Sequence, residues 1–291
     1  MASTMTKLSQ ERDKGQLSGG QPRFSHPHLV LVGTVHRDPR GYTRLFRLLE
    51  RERPAMVTVE ISPFSRALRV QQSAMLLRTL RRNLRQIQKE DGRPLTTIFS
   101  HSLIMGIFFL LKEPFEWRAA RIYASQNGIP LHDIDLSAFA QDHLANLPEL
   151  IALKNLQTLL GLSSLPYPDL VRSQYSRAGF LLRHPPSIRI RPPGFQEREV
   201  YMAGKIREFA HGIKEGKILH VGGWEHLIDF EEEKSVFGLL KDLRPQRILL
   251  SALGGAVAYP EIVHKNCGKD VENFRHGIQN AIKSQVFLKN A

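Results

Sequence analysis

Apolar residues along this chain fall into short, nearly unbroken runs, separated by longer stretches with helical spacing. The runs lie at 29–35, 56–61, 130–134, 218–221 and 248–252. Each is rich in Val, Ile or Leu and lacks the polar alternation of a half-exposed strand. That is the pattern of strands covered on both faces. Between the runs, 41–53 carries Leu45, Leu48 and Leu49 on one side. The stretch 64–89 carries Leu68, Leu76, Leu80, Leu84 and Ile87 with arginines between them. The segments 115–126 and 196–213 follow the same spacing. Strand alternating with helix predicts an α/β fold, a mostly parallel central sheet flanked by helices.

Residues 1–27 are polar and rich in Gly, Ser, Gln and Lys, and read as a disordered tail. The rest, 28–291, reads as a single domain. From 137 to 193 no strand pattern is visible. Helical pieces there are broken by SSLPYPD and RHPPSIRIRPPG, which predicts a helical, Pro-rich insertion. It is either a cap over a site or a packed connection. The longest apolar stretch, 103–111, is too short to span a bilayer, and the N-terminus lacks the apolar core of a secretion signal. The expectation is a soluble protein. The single cysteine, Cys267, allows no internal disulfide, which fits a reducing, intracellular setting.

Charge changes the picture next. The 291 residues carry a formal net charge of +13. The densest basic segment is RTLRRNLRQIQK, inside the long helical pattern. It is either a solvated helix face or a patch for an anionic surface or partner, whose affinity salt would weaken. No RNP aromatics, zinc-finger spacing or double-stranded-RNA pattern accompany it, so no specific nucleic acid is expected.

The chemistry sits where the runs end. Gly33-x-x-His36 closes the first strand and Gly223-Trp224-Glu225-His226 closes the fourth. Glycine permits a close backbone approach, and each histidine then projects from a strand's C-terminal end. In open parallel sheets the ligand crevice lies outside those ends. The second strand, MVTVE, finishes on Glu60. Two imidazoles and a carboxylate on one sheet edge suit a catalytic divalent metal held by His36, Glu60 and His226. The same trio without metal could act as general base and oxyanion stabiliser. Asp133 and Asp135 end the third strand on the face of Glu60, so one of them could join the site. His220 and Trp224 read as packing residues, Cys267 has no evident histidine partner, and ALGGAVAYP reads as a strand-exit turn.

The blocks LVGTVH, VTVEISPFSRAL, PFEWRAARIYASQNGIPLHDIDLS, EREVYMAGKI and HVGGWEHL occur in this order over about two thirds of the chain. As a set they resemble the TraB/PrgY family. Through it they resemble a wider group that includes Tiki proteases, erythromycin esterases and haem-binding ChaN proteins. The resemblance implies an α/β core with paired Gly-x-x-His motifs and an essential glutamate. In Tiki relatives these support metal-dependent peptide hydrolysis; in TraB/PrgY relatives the role is shutting down a peptide pheromone. Carried onto this chain, the histidines are His36 and His226 and the glutamate is Glu60. The acidic residue of the helix block is Glu116, and the Glu-Arg pair is Glu197-Arg198. Arg198 could hold a substrate carboxylate, or could be the structural partner of Glu60 or Glu116.

The chain departs from the family's pattern in four respects. Asp38 stands where Ser is frequent, Ile61-Ser62 and Asp135-Leu136 replace acidic and Asp-Arg positions, and no C-terminal membrane segment is evident. The functional expectation is a metal-dependent hydrolase of a peptide or similar amide or ester, with Glu60 or Glu116 as general base. Two alternatives follow from the same relatives. One is a non-catalytic protein that binds or sequesters a peptide or haem-like ligand. The other is a metal-free esterase.

Overall fold

A computed structural model describes residues 28–186, 194–213, 215–230 and 234–251. The expected tail, Cys267, the turn beginning at Ala252 and most of the basic Pro-rich connection lie outside the described residues. Five strands form one all-parallel sheet: β1 His28–Thr34, β2 Met56–Val59, β3 Leu131–Asp133, β4 Lys217–Gly223 and β5 Arg247–Leu250. Their spatial order is β3-β2-β4-β1-β5. All five expected runs are strands, each shifted or trimmed by a few residues. β2 ends at Val59, so Glu60 and Ile61 lie just beyond the ladder.

Both faces of the sheet are covered, as the unbroken apolar runs require. On one side Val30, Val32, Val57, Val59, Leu219 and Val221 pack against α1 (Gly41–Glu52) and α5 (Phe115–Asn127). On the other, Leu29, Leu31 and Ile218 meet α9 (Tyr167–Arg183), α10 (Phe195–Gly212) and the short α11 (Val236–Leu239). The described part of the region expected as an insertion, 137–186, holds helices and no strand. Its α6 (Ser137–Leu144), α7 (Leu147–Leu150) and α8 (Leu153–Gly161) do not stand alone. They join α2 (Pro63–Asp91), α3 (Leu95–Ser100) and α4 (Ser102–Leu111). Leu76, Leu80, Leu84 and Ile87 of α2, Ile104 and Ile107 of α4, and Leu156 of α8 make a third core there. The apolar stretch 103–111 is a wall of that lobe. No helix among the described residues is long and apolar enough to cross a membrane.

α2 is long because its ends are well specified. Ser62 Oγ accepts the Ser65 amide at the N-terminus, Pro63 occupies the first turn, and Gly92 closes the helix with φ 69°. Over about 44 Å it carries its leucines inward. Arg78, Arg81, Arg82, Arg85 and Lys89 all face solvent in a single ridge.

The chain leaves β1 toward α1 on one face and leaves β4 toward α11 on the other. Neighbouring parallel strands whose exits diverge leave a crevice at their C-terminal ends. The register puts Gly33 beside Gly222 and Thr34 beside Gly223 at that point. Gly33 has no room for a side chain. A Cβ there would lie 2.8 Å from Leu227 Cδ1 and 3.0 Å from the Trp224 backbone. The turn after β4 thus lies directly on β1, and this close approach carries His226 toward His36.

Candidate functional site

Glu60 stands at the centre. Its amide is bonded to Val221 O at 2.8 Å, so β4 fixes the residue although β2 has ended. Its Oε2 accepts the Gly223 amide at 2.5 Å. Its Oε1 faces His226 Nε2 at 2.9 Å and His36 Nε2 at 3.9 Å. The sequence's trio therefore converges on one oxygen.

Each imidazole is held from behind by a different glutamate. His36 Nδ1 is 2.9 Å from Glu116 Oε1, and Thr34 Oγ1 donates to the same oxygen at 2.9 Å. His226 Nδ1 is 2.8 Å from Glu199 Oε1, while Glu199 Oε2 accepts the Val236 amide at 2.7 Å. A carboxylate only accepts, so both Nδ1 atoms donate. Glu116 and Glu199 are buried, and Phe195 stacks on the His226 ring at 5.6 Å. His226 is itself buried, whereas the side chain of His36 is 50% exposed. The site therefore opens to solvent on the His36 side.

Arg198 of α10 closes the opposite flank. Its Nε and Nη2 donate to Asp135 at 2.6 and 2.8 Å, and Nη2 also donates to Glu60. Its headgroup lies 4.8 Å from the centre of the Phe139 ring. Of the two readings of Arg198, the structure displays the pairing with Glu60. Asp133 ends β3 and pairs with Arg66 at 2.8 Å, while Asp135, two residues beyond the strand, joins the site through Arg198. Trp224 is buried in the core.

The electrostatics follow from this packing. Burial opposes charge on His226, but Glu60 and Glu199 outweigh it and raise its pKa to about 10. His36 is also raised: burial opposes the charge, and the hydrogen bond and charge of Glu116 exceed it. Burial alone would raise Glu60, but His226 and Arg198 hold it well below the usual carboxylate range. His220, buried beneath Gly222, is pushed down to about 4 by desolvation. Its Nδ1 meets Thr58 Oγ1 at 3.1 Å and its Nε2 has no partner, as a neutral core histidine would have it.

Thr34 and Glu199 were not singled out by the sequence. Thr34 looks like an ordinary strand residue. Glu199 hides beside the quoted Glu197-Arg198 pair, and the helix turns Glu199 inward while Glu197 is exposed.

Among the described residues, no group of three or more His, Cys, Asp and Glu has the spacing of a formed metal site. The donor chemistry nevertheless suits one. Two imidazoles turn Nε2 toward a carboxylate, and each is oriented by a glutamate behind it, the usual second sphere of a metal-binding histidine. In this arrangement a proton on His226 and the Arg198 guanidinium supply the positive charge around Glu60. Comparisons of the chain with protein-family models, characterised proteins and solved structures returned no match.

Proposed function

We propose that this protein is a metal-dependent hydrolase of a peptide or a similar amide or ester. The observation that carries the reading is the pair of glutamate-backed histidines, Glu116–His36 and Glu199–His226, whose Nε2 atoms face the same Glu60 oxygen. A divalent ion held by His36, Glu60 and His226 would polarise a carbonyl and acidify a water near neutral pH. Glu199 and Glu116 fix the two rings. Arg198, bonded to Asp135 and Glu60, holds the carboxylate in place and offsets its charge. Both Glu60 oxygens already accept hydrogen bonds, and Glu116 acts behind His36. With His36 Nε2 given to the ion its ring cannot also take a proton, so the carboxylates Glu60 and Glu116 are the bases left beside it. The single cysteine supports an intracellular setting.

A second reading rests on the same half-exposed pair. His36 backed by Glu116 is a base-orienter arrangement that can activate water without a metal. Here Arg198 would supply the positive charge beside Glu60.

The test uses the purified chain, stripped with chelator, reloaded with individual divalent metals and screened against an amide and ester library. Metal uptake and turnover that both vanish in His36→Ala and His226→Ala, with far-UV dichroism unchanged, meet the proposal. Turnover that survives exhaustive chelation selects the metal-free reading. No product in any loaded form, together with unaltered metal content in the variants, rejects hydrolysis by this site.

A further inference from the structure

The outward face of α2 changes character along its length. From 67 to 75 the exposed positions are Ala67, Val70, Gln71, Ala74 and Met75, all uncharged. From 78 to 89 they are Arg78, Arg81, Arg82, Arg85, Gln86 and Lys89, so all but Gln86 are cations. The orientation is fixed by the other face, where Leu76, Leu80, Leu84 and Ile87 are buried in the core shared with α4 and α8. The cations therefore form a ridge about 17 Å long.

The fold does not neutralise this ridge. Among the described residues, no carboxylate forms an ion pair with any of its five cations. Arg78 Nε donates to the Ala74 carbonyl at 3.2 Å, inside the helix. The acids of α2, Glu90 and Asp91, stand in its last turn and are already engaged. Glu90 accepts from Gln86 and Gln157, both at 2.9 Å, and Asp91 pairs with Arg93 at 2.9 Å. Like charges three and four residues apart on a helix repel each other, and a surface of opposite charge relieves that repulsion.

The apolar residues decide which surface fits. Val70 is 82% exposed, the most of any large apolar side chain among the described residues, and Met75 is 54% exposed. A polyanion in water would leave both of them wet. A bilayer meets both halves of the helix, with headgroups for the cations and an apolar layer just beneath for Val70 and Met75. Arginine and lysine also suit that boundary, since their apolar stems can be buried while the charge stays among the headgroups. Single-stranded nucleic acid is bound by basic surfaces interleaved with aromatic rings, and positions 67–89 contain no aromatic residue.

We propose that the outward face of α2 docks on the surface of a membrane that contains anionic phospholipid. The helix lies on the bilayer and does not cross it. The ridge begins about 22 Å along α2 from Pro63, so this surface is separate from the site around Glu60 and is independent of the hydrolytic reading.

Co-sedimentation of the full chain with vesicles of phosphatidylcholine, with and without phosphatidylserine, tests this. The wild type binds the phosphatidylserine vesicles and rising salt releases it. Each cation near such a surface contributes about fivefold, so the Arg78→Gln/Arg82→Gln/Arg85→Gln variant binds about a hundredfold more weakly. Its thermal midpoint is that of the wild type, because the replaced side chains are exposed. Val70→Trp reports entry into the bilayer. Trp117 and Trp224 are buried and give a constant background, and the new indole emission moves to the blue when phosphatidylserine vesicles are added. Equal binding to both kinds of vesicle, no binding to either, a folded triple variant that binds like the wild type, or an unmoved emission from Val70→Trp each overturns the proposal. Binding to a DNA or RNA duplex at a salt concentration where the vesicles are released assigns the ridge to nucleic acid and likewise overturns it.

Discussion

Gly223→Ala separates the site from the fold. Gly223 has φ −61° and ψ 140°, which any residue adopts, so the backbone has no objection to alanine. The new methyl would lie 2.7 Å from His36 Nε2 and 3.5 Å from Glu60 Oε2. An ordinary contact needs about 3.5 Å, so the imidazole edge must retreat by about 0.8 Å. His36 is half exposed and can swing away, so the cost in stability is below about 1 kcal/mol. A displacement near 1 Å at reacting groups lowers kcat/KM by about a hundredfold. Gly33→Ala is the contrasting case. Its methyl meets the Trp224 backbone at 3.0 Å and Leu250 Cδ2 at 3.2 Å, which cannot both yield. Overpacking there costs about 1–3 kcal/mol. Thermal unfolding and kcat/KM on the best substrate of the library are measured side by side. The reasoning fails if Gly223→Ala turns over like the wild type, or if it loses as much stability as Gly33→Ala.

Other perturbations read different parts of the structure. Glu199→Gln weakens the grip on His226 and the Val236 amide in a buried position, and lowers stability to urea by about 1–3 kcal/mol; an unchanged midpoint would contradict the buried bonds. Tyr167 and Tyr175 are raised to about 12, chiefly by burial. Their stabilisation is complete below the unfolded value of about 10 and is lost as pH climbs toward 12. Tyrosinate absorbance should therefore show two late tyrosines that ionise together with unfolding; ionisation near 10 with the fold intact would refute this. Replacing Arg78, Arg82 and Arg85 with glutamine should lower the salt needed to elute the chain from heparin while leaving stability within about 0.5 kcal/mol. Elution at the wild-type salt concentration would mean that the ridge contributes nothing to anion attraction.

The fold was legible because β1, β2, β4 and β5 are buried over nearly all their length and only β3 is partly exposed, so apolar runs mark the strands. His36, Glu60 and His226 were legible for a related reason. Each lies where an apolar run stops, and parallel strands stop at the same edge. The helical lobe was read less well. Residues 137–193 read as an insertion, but the leucines of α7 and α8 within it find partners on α2 and α4, far away in sequence. Periodicity shows which face of a helix is apolar and not what covers it. Glu199 illustrates the same limit. Its role comes from α10 docking over the crevice, a tertiary event without local pattern.

The order of synthesis and the order of the strands disagree, with consequences for how the molecule matures. β4 is the fourth strand to be made, yet it lies in the middle, so residue 28 must find residue 217. A nascent chain that has reached only α10 already contains His36, Glu60, Glu116 and Glu199, but the slot between β1 and β2 is vacant. Two bare strand edges face each other across that slot, which invites pairing with other chains and makes shielding during translation valuable. Such late, distant pairing also slows folding. The cluster around Glu60 is complete only once the last inner strand is in place, because β4 fixes the Glu60 amide and leads into His226.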